Sequence, residues 1–142
     1  MLDIIIKNGN CFVEKKFQVV DIAIKDKKIV KIGSINEDSN SEIDATNLLV
    51  LPGCIDTQVH FREPGSTDKE DLNSGSKAAI LGGITSVFEM PNTNPPTSSK
   101  IEFQKKIDLV KGRMYTNHAF YFGATPKNSK DLAEIKNLEG CC

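Results

Sequence analysis

The sequence predicts an α/β protein: a small antiparallel β-sheet, then three strand–helix units on a parallel sheet. Three observations carry this. About the first 50 residues hold short β-rich runs split by turn signals. From about residue 48, strand-like and helical segments alternate three times, the pattern of right-handed βαβ units. The composition, 39% hydrophobic and 26% charged over 142 residues, suits one ordinary domain that can bury a core. A formal net charge of −1 gives no electrostatic case for nucleic acid or an anionic membrane as partner. No apolar run approaches the ~20 residues of a membrane span.

In chain order, "DIIIK" reads as a strand closed by the turn signal "NGN" at 8–10. "VVDIAIK" (19–25) puts Val20, Ile22 and Ile24 on one face, and "KKIVKIG" (27–33) follows a tight charged turn. "SINEDSNSE" (34–42) is polar and reads as a loop. "LLVLPGCIDTQVHF" is strand-like, interrupted by Pro52-Gly53. Thr67 with Glu70 forms a capping box for a helix carrying Leu72, Ser76, Ala79 and Ile80, which Gly82-Gly83 ends. "ITSVFEM" (84–90) is the second strand. Ser99 with Glu102 then opens a helix whose stripe is Phe103, Ile107, Val110 and Met114. "YTNHAFYFGAT" (115–125) is the third strand. Asn128 or Ser129 caps a third helix carrying Leu132 and Ile135, with Gly140 at its C-terminal end.

The start "MLDIIIKNGN" lacks the basic opening and longer apolar core of a secretory signal. Cys11, Cys54, Cys141 and Cys142 form no CxxC pair, so a reducing cytoplasm is the expected location. Cys54 reads as a small core residue.

Chemistry concentrates in "IDTQVHFREPG" (55–65). On an extended strand Gln58, His60 and Arg62 share one face, and Val59 and Phe61 the other. An imidazole, an amide and a guanidinium on one face suit a metal, an anionic ligand or plain solvent exposure. In parallel α/β folds ligands gather at the C-terminal strand ends, where His60, Arg62 and the Pro91-Asn92 turn all fall. Singly, each has an ordinary explanation: a hydrogen-bonded surface histidine, an arginine paired with Glu63 or Glu70, an asparagine in a turn. His118 reads as a hydrogen-bonded strand histidine, and Glu89 as one more surface charge. Asp56 is either a brace for a ligand or a structural carboxylate. Glu63, Pro64 and Gly65 shape the loop after the strand.

Taken in order, "LPGCIDTQVHFREPG" and "GGITSVFEMPNTNPP" resemble the dihydroorotases of the amidohydrolase superfamily over nearly the whole chain. The resemblance implies that residues 1–52 are part of a β-sandwich. It likewise makes 53–142 the first three βα units of a (β/α)8 barrel. His60 matches a zinc-binding histidine, and Arg62 and Asn92 match residues that hold a substrate carboxylate, a task suited to a planar guanidinium beside an amide donor. The implied reaction is reversible cyclisation of carbamoyl-aspartate to dihydroorotate with one or two zinc ions. Gln58 stands where the resemblance places the first histidine, and its amide oxygen is a poorer zinc ligand. That leaves three outcomes: one zinc, a weak Gln58 ligand, or no metal. The remaining ligands and the catalytic aspartate are expected beyond Cys142, so the chain is expected to be an N-terminal fragment without catalytic residues of its own. A homodimer or a complex with aspartate transcarbamoylase is the implied assembly. Two rivals are a non-catalytic homologue, which Gln58 favours, and an allantoinase or hydantoinase. The carboxylate-binding pair Arg62 and Asn92 speaks against the latter.

Overall fold

The structure, a computed structural model, describes residues 1–130, 132–135 and 137–142. They fall into two units, Met1–Pro52 and Gly53–Cys142. No helix among the described residues is long and apolar enough to cross a membrane.

In the first unit the strands are β1 (Leu2–Val13), β2 (Lys16–Lys25), β3 (Lys28–Gly33), β4 (Ser39–Asp44) and β5 (Leu49–Val50). The sheet order is β3-β2-β1-β4, and β5 also pairs with β1. Its hairpins turn at Glu14–Lys15 and Asp26–Lys27, all four residues having positive φ. Such mirror-image turns match the twist of the strands they join. Leu2, Ile5, Ala23 and Ile35 form the buried core.

Two expectations fail in this unit. "NGN" is no turn: β1 runs through it with a register shift between Ile6 and Gly9. Asn8 takes φ 59° there, and its N–H donates to Asp21 Oδ1 at 2.9 Å. The kink is absorbed as a bulge. The polar segment is not all loop either, because Ser39–Asp44 is a strand. β4 and β5 both run parallel to β1, so the sheet is mixed rather than antiparallel. Backbone pairing with β1 recruits β4. Its side chains are almost all exposed, which erases the hydrophobic alternation that would mark a strand.

The second unit contains β6 (Cys54–Val59), α1 (Leu72–Leu81), β7 (Ile84–Glu89), α2 (Lys100–Val110), β8 (Asn117–Phe120) and α3 (Leu132–Ile135). Strands β6, β7 and β8 lie in chain order and pair in parallel, the α/β arrangement expected of βα units. Cys141 makes a further parallel bridge to Phe120. Phe61, Leu72, Val87, Phe103, Val110 and Phe120 fill the core.

Helix α1 starts later than the Thr67–Glu70 pair predicts. Asp71 is its N-cap and forms the capping box with Ser74. The chain from 62 to 69 is bound into turns instead, Ser66 N–H donating to Arg62 O and Lys69 N–H to Ser66 O. Gly82 caps the other end, and Gly83 follows with φ 84°. Ser99 caps α2 as expected, its side chain accepting from Glu102 N–H. Asn128 caps no long helix. It accepts from Thr125 N–H and donates to Ser98 O and Gly123 O, stapling two loops. Positions 131 and 136 of the predicted third helix lie outside the described residues.

Candidate functional site at the ends of β6 and β7

Strand β6 ends at Val59, where Val59 O accepts Met90 N–H at 3.0 Å and so ties the ends of β6 and β7 together. Just before this end, Asp56 Oδ1 accepts from Gln58 N–H at 2.9 Å, a local backbone brace. The Gln58 side chain is exposed. His60 follows, and its Nδ1 lies 2.9 Å from Asn92 Oδ1 in the loop after β7. An amide oxygen accepts, so this is a contact to which the Nδ1–H tautomer of His60 would donate. The two candidates on separate strand ends are thus brought together.

Arg62 departs from the predicted geometry. The strand has already ended, and Arg62 sits in the left-handed region at φ 61°, so strand alternation does not align it with Gln58 and His60. A non-glycine residue there carries strain of order 1 kcal/mol or more, held by its surroundings. Its neighbours supply the hold. Phe61 is buried against α1, and a Cβ on Gly75 would meet its Cδ1 at 2.4 Å. Glu63 is buried as well. Arg62 itself is exposed between these two anchors.

Glu63 does not pair with Arg62, as its sequence proximity suggests. It receives Arg113 through two contacts, Nη1 to Oε1 at 2.8 Å and Nη2 to Oε2 at 2.9 Å. Oε2 also accepts Leu72 N–H, the first residue of α1, at 2.9 Å. Arg113 Nη1 reaches Leu109 O besides. One carboxylate therefore clamps the corner after β6 to the start of α1 and the end of α2. The hydrogen bonds to Glu63 push the Arg113 pKa up.

Glu89 is not a surface charge. It and Lys106 are both 1% exposed, and Lys106 Nζ stands 2.9 Å from Glu89 Oε2. The ammonium also lies 5.3 Å from the Phe120 ring centroid and donates to Thr97 Oγ1 at 3.4 Å. Burial pushes the Glu89 carboxyl up and the Lys106 ammonium down, and their mutual attraction opposes both shifts. The Phe61 amide also draws the Glu89 carboxyl down. A signal for this pair exists in the sequence. Glu89 has the same strand parity as buried Val87, and Lys106 lies at helical spacing between Phe103 and Val110.

His118 takes the ordinary role expected of it, its Nδ1 3.3 Å from Thr116 O and its ring 5.6 Å from that of Phe120. Cys54 is exposed rather than part of a core, at the outer edge of β6. All four thiols are free.

The residues present do not by themselves fit a zinc shell. Among the described residues there is no group of three or more His, Cys, Asp or Glu that could hold a metal. His60 Nε2 offers one good ligand atom and the Gln58 amide one weak one, whereas zinc takes about four.

Residues 49–138 match the profile of the Amidohydrolase family. The chain belongs to the amidohydrolase family. An allantoinase of Escherichia coli O1:K1 is 40% identical over 137 residues, covering 96% of this chain and 30% of that protein. An allantoinase of Salmonella choleraesuis is 39% identical over the same length. Among solved structures, the L-hydantoinase (dihydropyrimidinase) of Arthrobacter aurescens superposes with a TM-score of 0.88 at 29% identity, over 96% of this chain and 31% of that one. The dihydropyrimidinase of Brevibacillus agri gives 0.81 at 27% identity, over 99% and 32%. This amidohydrolase chain thus spans about 30% of the length of the curated relatives it matches.

Proposed function

We propose that the whole protein containing this chain opens a cyclic amide by hydrolysis, and that its first substrate class is the five-membered ureide ring of allantoin and hydantoin. The observation that carries this is the His60–Asn92 contact at the C-terminal ends of parallel strands, with Arg62 displayed two residues on. The names of the relatives, allantoinase at 40% identity foremost, support the ring. In this reading residues 53–142 are the first three βα units of a (β/α)8 barrel, and residues 1–52 belong to a β-sandwich. The protein works in the cytoplasm on a small-molecule substrate.

The Arg62–Asn92 pair does not exclude hydantoin-type rings. Hydrolysis of a cyclic ureide breaks a ring carbonyl–nitrogen bond and adds water across it. The products carry a new carboxylate and a carbamoyl nitrogen. A guanidinium and an amide donor then hold charge that develops during the reaction, which is where binding lowers a barrier. His60, with its lone pair on Nε2, holds or passes a proton or serves as a ligand atom. Any metal shell of the whole protein would need further ligands beside His60 Nε2 and the weak Gln58 amide oxygen.

A second reading, dihydroorotate as substrate and pyrimidine biosynthesis as setting, is supported by the sequence resemblance, in which Arg62 and Asn92 match residues that hold a substrate carboxylate. The experiment is ring opening of allantoin, hydantoin and dihydroorotate by the protein expressed from the whole reading frame that contains residues 1–142. Opening of allantoin or hydantoin with dihydroorotate untouched supports the first reading. The reverse selects the second, and turnover of none defeats both.

A further inference from the structure

The loop that carries Asn92 is pinned in place by contacts that have nothing to do with a ligand. Asn94 N–H donates to Pro64 O at 3.0 Å, and Thr97 N–H to Pro91 O at 2.9 Å. Thr93 Oγ1 donates to Pro95 O at 2.9 Å. Gly65 lies so close to this loop, at φ 114°, that a Cβ would meet the Asn94 Cβ and carbonyl oxygen, each at 2.7 Å. The 62–65 and 91–97 loops therefore hold each other. His60 lies just before the first loop and Asn92 in the second, so the paired loops bring the half-buried His60 and the exposed Asn92 together.

We propose that Asn92 is a positioning residue that acts through His60. Its Oδ1 takes the Nδ1 proton and fixes the imidazole as the Nδ1–H tautomer. Nε2 then becomes the one nitrogen open to a proton or a ligand atom. Neutral imidazole in water prefers the opposite tautomer, so the contact reverses a default. The same amide keeps its Nδ2 donors, which hold the substrate oxygen. This last part rests on the proposed function, whereas the tautomer stands on the geometry alone.

The test uses 15N-histidine labelling of the metal-free protein expressed from the whole reading frame and two-bond proton–nitrogen correlation of the ring nitrogens at about pH 8. The His60 and His118 signals are assigned by their loss in His60→Gln and His118→Gln, and His118 serves as an internal reporter of folding. His60 is expected as the Nδ1–H form in the wild type. Asn92→Asp keeps an acceptor in place and retains that form, while Asn92→Ala loses it and leaves the His118 signals unmoved. Should Asn92→Ala lose the native His118 signals, Asn92→Leu, which has the same heavy-atom branching as Asn and no acceptor, takes its place. An Nε2–H wild type, or an Ala or Leu variant still in the Nδ1–H form, overturns the proposal. In the turnover assay Asn92→Asp is expected to raise KM for the ring while keeping the tautomer. Ring specificity and tautomer thus fail separately.

Discussion

Lys106 Nζ and Glu89 Oε2 lie 2.9 Å apart with both side chains sealed from solvent. Helix α2 and strand β7 are joined there by a charge pair in the middle of an otherwise apolar core. Breaking such a pair strands a buried charge, whereas replacing both partners removes the desolvation cost as well. Lys106→Met is expected to cost about 3–5 kcal/mol, and Glu89→Leu with Lys106→Met to recover most of that. Urea midpoints of the two variants at constant slope decide it. Equal losses in both would mean that the pair stabilises the fold in its own right.

The Glu63–Arg113 clamp is partly exposed on the arginine side, so it is worth less. A double-mutant cycle with Glu63→Gln and Arg113→Met is expected to give a coupling of about 1–2 kcal/mol. Because Glu63 also holds Leu72 N–H, amide exchange at Leu72 should speed up in Glu63→Gln. No change there would remove Glu63 from the role of binding the corner to α1.

Gly75 lies inside α1, where alanine would ordinarily stabilise by about 1 kcal/mol. Here the added Cβ would meet Phe61 Cδ1 at 2.4 Å and Cε1 at 2.8 Å. Gly75→Ala is therefore expected to destabilise by about 1–3 kcal/mol, as overpacking does. A rise in melting temperature would show that Phe61 yields freely and does not anchor Arg62.

Asp21 sets an acid limit on the first sheet. The Asn8 N–H, foremost, then the Ile35 N–H and the Lys7 ammonium hold its carboxyl below the usual range. A carboxyl with a lowered folded-state pKa stabilises above its unfolded value of about 3.9, and that contribution is lost as pH falls through the folded pKa. Asp21→Asn should cost about 1–2 kcal/mol near neutrality and flatten the loss of stability below about pH 4. An unchanged acid profile would mean that other carboxylates dominate it.

The strand–helix alternation of residues 53–142 was legible because most of its elements bury a face, β7 through Val87 and Glu89 and α2 through Phe103, Lys106 and Val110, and buried faces leave a period in the sequence. Ser99 and the Gly82-Gly83 stop were legible for a similar reason, since caps are local. Strand β4 was not, because its partners are backbone groups and its side chains face water. Glu89 and Lys106 were hidden by charge: a residue type that is usually exposed was read by type rather than by its place in the stripe. At the site, His60 and Asn92 stood out through motif and position. The left-handed turn at Arg62 did not, because it depends on Phe61 and Glu63 finding partners in α1 and near the end of α2, at Gly75 and Arg113.

Arg62, displayed between these anchors, is proposed to meet the substrate beside His60 and Asn92. The most direct measurement is kcat/KM of Arg62→Met, in the protein expressed from the whole reading frame, on whichever ring it opens. A loss of about 2–4 kcal/mol in transition-state binding, roughly 30- to 900-fold, with a large part in KM, is expected. A fall of less than tenfold, with the fold intact, would place the chemistry elsewhere.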